Sequence, residues 1–475
     1  MGNLFSEDAA TTRPAKSVSS VPVSTLTAKE LGAVKHLFQS WQAEGNGEIT
    51  LDILRQRLPA VTHFPEMLKE QGHVSSEGAF LSLAAALCKP STPRHLMETL
   101  FHMAEQFARS AGEDLLQVLM QFVLEMVLSL SEEKGGDDAG SRGVILRMSQ
   151  FALGKAQRPL KTAGGDPVRL GGGSPFDLTA FVLFANEWAP SLLKAVQTFA
   201  LNLFLPFDKF SGFVPFQPPT LADGGSSIIK PRDLVSLSLY SNLLQGRLRR
   251  LYSSSHDGYS FQHILSAITG YDGPTLLLIR PRPPKTAVRP LGVESVVFGA
   301  LAADRWKEER KFFGGSSTFL FTLTPELRIL GPRVGGESNF QWLSTKTSNP
   351  KTHGLAMGGT ADLRGKRIFL PSSLDEGWAG SSCGTFQSGT LVPSWARRNS
   401  DDDVFDIDSI EIWAVGGDHQ IASALQARGK QRALNEDTMQ KARSVDRAAF
   451  FNSTFDQEMF LGKTMAHKSE MQNRD

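Results

Sequence analysis

At 475 residues the chain is long enough for two or three domains that each bury a core, and 41% hydrophobic with 21% charged residues is ordinary for a soluble globular protein. Basic (50) and acidic (49) residues nearly cancel and form no single basic block, which removes the usual electrostatic argument for a nucleic-acid partner. Two distant cysteines, Cys88 and Cys383, predict free thiols in a reducing compartment, and no apolar stretch crosses a membrane's width without polar interruption.

The chain opens Met1-Gly2-Asn3-Leu4-Phe5-Ser6, which fits the Met-Gly-x-x-x-Ser pattern of N-myristoylation with Gly2 as acceptor. A Ser/Thr/Pro/Ala-rich segment follows, so residues 1–24 are predicted to be disordered and acylated. One myristoyl chain binds a membrane only marginally, on the order of 10⁴ M⁻¹. No cysteine or basic cluster near Gly2 supplies a second signal, so attachment is predicted to be peripheral and reversible.

Residues 25–205 read as an all-α, calcium-hand-like module. Thr27 with Glu30 three residues on makes a capping box, and Leu31, Val34, Phe38 and Trp41 repeat at helical spacing. Residues 42–53 then have the shape of a calcium-binding loop, with Gly47 at the sharp turn, Ile49 at the apolar position, and Glu44 and Asn46 at ligand positions. The loop is degenerate: Gln42 and Ile53 replace the two carboxylates that supply most of the binding charge, so no metal is expected. Further helices are predicted over 77–89, 92–110, 113–131 and 176–205. Residues 133–175, rich in Gly, Ser, Arg and Lys, read as a flexible insertion, and 206–226 as a Pro/Gly/Phe linker.

From 227 to 417 a starting helix gives way to short apolar runs bounded by Gly, Pro or Asn: 275–279, 295–300, 317–322, 327–330, 354–357, 367–370 and 410–415. These read as antiparallel strands packed face to face. Chemistry is sparse. Cys383 would form a thiolate pair with His353 or His256, or be a small residue in a tight turn, and the sequence leaves both open. Asp401, Asp402, Asp403, Asp406 and Asp408 read as a solvated acidic loop in preference to a cation site. Residues 418–475 are predicted to form a long helix and tail. The helix carries a thin apolar stripe of Ile421, Leu425, Leu434, Met439 and Val445, suited to a partner's groove.

One series runs through the third region: Leu251-Tyr252-Ser253, His256-Asp257-Gly258-Tyr259-Ser260, Gly273-Pro274-Thr275, Phe298-Gly299, Trp306 and Phe312-Phe313-Gly314. It continues through Phe319-Leu320-Phe321, Gly358-Gly359, Ser381-Ser382-Cys383 and Thr385-Phe386, and closes on Ile410-Glu411-Ile412-Trp413-Ala414-Val415. The series resembles a TLDc domain. The resemblance implies an α+β chain whose 227–417 region is a two-sheet antiparallel β-sandwich with flanking helices.

The myristoyl motif, the hand-like module, this domain and the C-terminal helix together resemble the TLDc sub-family associated with lysosomal membranes, an mTOR signalling complex and the vacuolar proton pump (V-ATPase). That resemblance implies a non-enzymatic adaptor without cofactor that meets peripheral-sector subunits of the pump and mTOR-complex components. It also implies a place on the cytoplasmic side of lysosomal, vacuolar, other endomembrane or plasma membranes. The family's association with oxidation resistance makes redox chemistry at Cys383 the alternative. The chain departs from the family pattern twice. Residues 279–289 lengthen a hairpin and make it basic, which reads as a lipid contact, an acidic-partner contact or a solvated loop. Residues 383–389 lack the acidic residue and the Gly-Asn often found around Thr-Phe.

Overall fold

Helix α1 (Ala28–Glu44) begins at the expected capping box: Thr27 N donates to Glu30 Oε2 at 2.7 Å, and Thr27 Oγ1 accepts from Glu30 N at 3.4 Å. The computed structural model describes residues 25–452, apart from 59–60, 62, 91, 113, 131–137, 157–159, 162–166, 169–176, 206–212, 292, 294, 347–348, 350–351, 361–364 and 400–402. Gly2 and the acylation motif therefore lie outside the described residues, as do Asp401 and Asp402.

The helical module continues through α2 (Leu51–Arg57), α3 (His63–Glu70), α4 (Glu77–Cys88), α5 (Pro93–Ala111) and α6 (Leu115–Ser129). Side-chain caps start four of these helices: Thr50 Oγ1 accepts from Ile53 N, Ser76 Oγ from Ala79 N, Thr92 Oγ1 from His95 N, and an Asp114 oxygen from Gln117 N. Each satisfies an amide that the first helical turn leaves without a partner. One expectation needs correction. The stretch 133–175 is not simply an insertion, because α7 (Asp138–Ala156) lies inside it. Val144, Ile145, Met148, Phe151 and Ala152 are buried, and this one-sided spacing secures the helix although glycines surround it. A two-strand ribbon, β1 (Leu160–Lys161) and β2 (Pro167–Val168), precedes α8 (Leu178–Trp188) and α9 (Leu192–Phe204).

The expected linker is partly packed too. Phe216 is buried, its amide donates to Thr198 Oγ1 of α9, and β3 (Thr220–Leu221) pairs in parallel with β4 (Arg247–Ser253). Helix α10 (Val235–Tyr240) comes between those strands, and α11 (Ser254–Asp257) and α12 (Phe261–Ile268) follow β4. The remaining strands are β5 (Thr275–Arg282), β6 (Val297–Ala302), β7 (Phe319–Thr324), β8 (Arg328–Leu330), β9 (Gln341–Ser344), β10 (Gly354–Met357), β11 (Ile368–Pro371), β12 (Glu376–Trp378) and β13 (Val404–Ala414).

The two layers are hydrogen-bonded into one folded sheet, in the order β8-β7-β6-β5-β13-β12-β11-β10-β9. Strand β13 makes this possible. One edge pairs with β5 along most of its length, while the other is divided between β12, from 404 to 406, and β4, from 411 to 414. Register shifts at Ile407/Ser409 and Ile412/Trp413 bend it between the two partners.

The β5–β6–β7 layer is buried on both faces. Leu277, Ile279, Phe298, Ala300 and Leu320 face Leu343, Leu355, Met357, Ile368 and Leu370 across the sandwich. Their neighbours Leu276, Leu278, Val297, Leu301, Phe319 and Phe321 join the core of the helical module. Double-sided burial explains why β5 reads Leu-Leu-Leu-Ile rather than as an alternating strand. The chain is thus a helical layer on a two-layer antiparallel structure, closed by α13 (Asp418–Asn452), and is α+β overall.

Candidate functional site

The Ser381–Phe386 motif is held by a residue that sequence reasoning left inside a strand. Arg367 is fully buried, and its guanidinium donates to the carbonyls of Gly380, Gln387 (3.3 Å) and Gly389 (2.8 Å). Burial pulls its pKa below the usual guanidinium value, with Cys383 and Asp403 opposing that shift. Cys383 is half-buried, and its Sγ accepts from Phe386 N at 3.2 Å. Gly358, at a φ of 68°, backs the site: a Cβ there would stand 3.1 Å from both Cys383 Sγ and Arg367 Cγ. The cation beside the thiol is Arg367, not the His353 or His256 of one sequence reading, and the Phe386 N to Cys383 Sγ bond fits the other, a small residue in a tight turn.

Glu411 is the second charge placed without a cationic partner at its oxygens. It accepts from Ser226 Oγ (2.5 Å), Ser227 N (2.8 Å), Ser227 Oγ (2.8 Å) and Trp413 Nε1 (3.0 Å). These bonds fasten the segment entering the sheet region onto β13.

Within the acidic run, Asp403 stands just before the last strand, whereas its two C-terminal members belong to that strand rather than to a loop. Asp406 and Asp408 lie in β13. Asp403 pairs with Arg397, Asp406 with Arg398, and Asp408 with Arg280 at 2.6 Å. Burial alone would raise the Asp408 pKa, but the Arg280 hydrogen bond and charge outweigh it and lower it. Among the described residues no group of three or more His, Cys, Asp or Glu could hold a metal ion.

In the hand-like loop, Gln42 Nε2 donates to Gly47 O at 2.8 Å, so position one presents a donor where a cation needs an oxygen. Gly47 takes the sharp turn at a φ of 102°, Glu44 pairs with Arg57, and Ile53 is buried in the helical core.

Helix α13 divides into two parts. Ile421 is buried with Tyr271, Ala414 and Ala424, Leu425 packs beside them, and Arg428 Nη2 donates to Ser266 O at 2.6 Å. Two of the five stripe residues are thus engaged within the chain, a correction to a stripe read as wholly available. Leu434 and Met439 stand 61% and 64% exposed, and the Val445 side chain lies outside the described residues. Where α13 leaves the sheet, a pocket of about 470 Å³ is lined by Asp272, Asp304, Arg305, Lys307 and Gln420. Its charges are partly spent on one another, since Arg305 lies 3.4 Å from Asp272. No helix among the described residues is long and apolar enough to cross a membrane.

A family model described as the TLDc domain matches residues 223–416. The MTOR-associated protein MEAK7 of Xenopus laevis is 28% identical over 199 residues, covering 42% of this chain and 38% of that protein. Its namesake in Mus musculus is 26% identical over 232 residues, covering 48% of this chain and 45% of that protein. Restriction of telomere capping protein 5 of Pyricularia oryzae is 26% identical over 247 residues, covering 43% and 39%. The chain spans less than half the length of these relatives.

Proposed function

We propose that this chain, which carries a TLDc domain over residues 223–416, is a non-enzymatic adaptor recruited to membranes, acting in mTOR-linked signalling and regulating the vacuolar proton pump. The observation that carries the adaptor reading is α13. Its first turns are rooted on β13 and α12, and beyond Arg428 it presents Leu434 and Met439 to solvent. A helix rooted at its first turns that exposes Leu434 and Met439 farther on is suited to a partner's groove. The similarity to mTOR-associated proteins supports the signalling link, and Gly2 acylation would supply the first membrane signal.

Deleting residues 429–475 keeps the rooted turns. Pull-down with the pump's peripheral sector should then lose most capture, and undiminished capture removes the helix from the reading. Gly2→Ala should shift the protein from membrane to cytosolic fractions, and an unchanged distribution removes acylation.

One observation favours a redox reading of the same chain: the buried Arg367 guanidinium beside the half-buried Cys383 thiol. A Cys383→Ser variant that protects cells from peroxide as well as the parent protein discards it.

A further inference from the structure

The hairpin joining β5 to β6 carries side chains that neither core uses. Val288 is 86% exposed and Leu291 is 105% exposed. Arg282, Lys285 and Arg289 flank them, all exposed, and Pro283, Pro284 and Pro290 restrict the backbone between. Two turns shape the loop, closed by Ala287 N to Pro284 O at 3.0 Å and Val293 N to Pro290 O at 3.2 Å. Over residues 282–296 three cations stand against Glu294, a net of +2. Arg282 lies 3.7 Å from Asp408, which also holds Arg280, so Lys285 and Arg289 sit farther along the loop from that carboxylate's strand.

We propose that this hairpin is a membrane-contact element that takes the anionic face of a lipid bilayer. Val288 and Leu291 enter the boundary between headgroups and acyl chains, while Lys285 and Arg289, helped by Arg282, meet phosphate and carboxylate headgroups. Aliphatic side chains at the tip of a basic, proline-stiffened loop suit an interface with an apolar interior and a negative surface. Prolines lower the entropy lost when the loop is fixed there.

Register places the hairpin usefully. Arg282 pairs opposite Asp406, whereas Thr275, at the other end of β5, pairs opposite Ala414, from which the chain runs into α13. The bilayer contact and the partner helix thus leave opposite ends of one strand pair. The contact also supplies the second signal that a single acyl chain requires. This inference rests on the reading that the protein works at membranes, so its test uses full-length protein without the acyl group, and the two can fail separately.

Flotation with phosphatidylcholine vesicles, alone or mixed with phosphatidylserine, reads the contact. Unacylated protein should float with the mixed vesicles and not with phosphatidylcholine alone. Lys285→Ala and Arg289→Ala should each weaken partitioning roughly fivefold, the effect of one basic side chain near an anionic leaflet. The Val288→Asp/Leu291→Asp variant should lose it while melting at the parent temperature, because both positions are solvent-exposed. Equal recovery on neutral vesicles overturns the proposal. So does parent-level flotation of the Val288→Asp/Leu291→Asp variant, which would leave charge alone, as in a contact with an acidic protein. Acylated protein whose binding falls with Gly2→Ala and ignores the hairpin variants keeps the membrane reading and discards the hairpin.

Discussion

Glu411 and Arg367 are single buried charges whose partners are uncharged, so each should be felt on removal beyond its packing. Losing the Glu411 carboxylate takes the acceptor from the fully buried Trp413 indole and from half-buried Ser226, while Ser227 can turn to solvent. At about 1–3 kcal/mol per unsatisfied buried group, Glu411→Ala should lower unfolding free energy by roughly 3 kcal/mol in urea titration. Glu411→Gln, which keeps an acceptor oxygen, should cost less. Arg367→Met should free the carbonyls of Gly380, Gln387 and Gly389. Amide exchange over residues 380–389 should then accelerate, and a thiol reagent should modify Cys383 faster. Neither role was legible in the sequence. Arg367 binds carbonyls 13 to 22 residues downstream, and Glu411 reaches back 184 residues to Ser227. A periodicity of two or of 3.6 says which side a residue faces, not that a charge will be satisfied there.

Helices were most legible where a side chain caps them. Thr27 reads as a start signal, and the helices expected from about 77, 92 and 113 begin within two residues of the caps Ser76, Thr92 and Asp114; each cap accepts from the amide of the third residue of its helix. Helix α7 was hidden because Gly140, Gly143 and Gly154 give a loop's composition, while its five buried apolar residues become evident only against α6 and α8. The α13 stripe was legible as a stripe, but not which part the fold would use, because Tyr271 comes from a loop far upstream in the sequence to meet Ile421 beside Ala414. The division makes a test within one helix. Ile421→Ala should cost about 2–4 kcal/mol, as for a buried aliphatic truncation, and release the first turns to amide exchange. Leu434→Asp should leave the melting temperature nearly unchanged, within about 0.5 kcal/mol, while abolishing any partner contact made through the exposed stretch.

Across the whole molecule, three carboxylates tie separate elements together and predict its acid limit. Glu30 meets Lys89 between α1 and α4, Asp408 meets Arg280 between β13 and β5, and Glu308 meets Thr345 and Lys346 after β9. Burial opposes ionisation at each, yet hydrogen bonds and cations win, and all three pKa values lie below their ordinary 4.5, 3.8 and 4.5. Their contribution is fully present above those ordinary values and is lost as pH falls through the lowered folded ones. The melting temperature should therefore hold down to about pH 5 and fall steadily below it, with Arg280→Met flattening part of that fall.

The layering carries a stronger consequence. Because the β5–β6–β7 layer has one face in the sandwich and the other in the helical core, the matched domain cannot be cut out along 223–416 without exposing Leu276, Leu278, Leu301, Phe319 and Phe321. Such a continuous apolar face promotes association rather than a soluble monomer. Bonds cross the same boundary: Ser191 N to Leu239 O at 3.0 Å, Gln245 Nε2 to Ser191 Oγ at 2.9 Å, and the Tyr240 ring stacked 6.0 Å from Trp188. Residues 25–428 should therefore unfold as one unit, with far-ultraviolet circular dichroism and tryptophan fluorescence giving coincident urea transitions. Residues 218–428 alone should aggregate on expression. Two separated transitions, or a monomeric 218–428 fragment with the parent's melting temperature, would mean that the helical layer leans on the sheet without sharing its core.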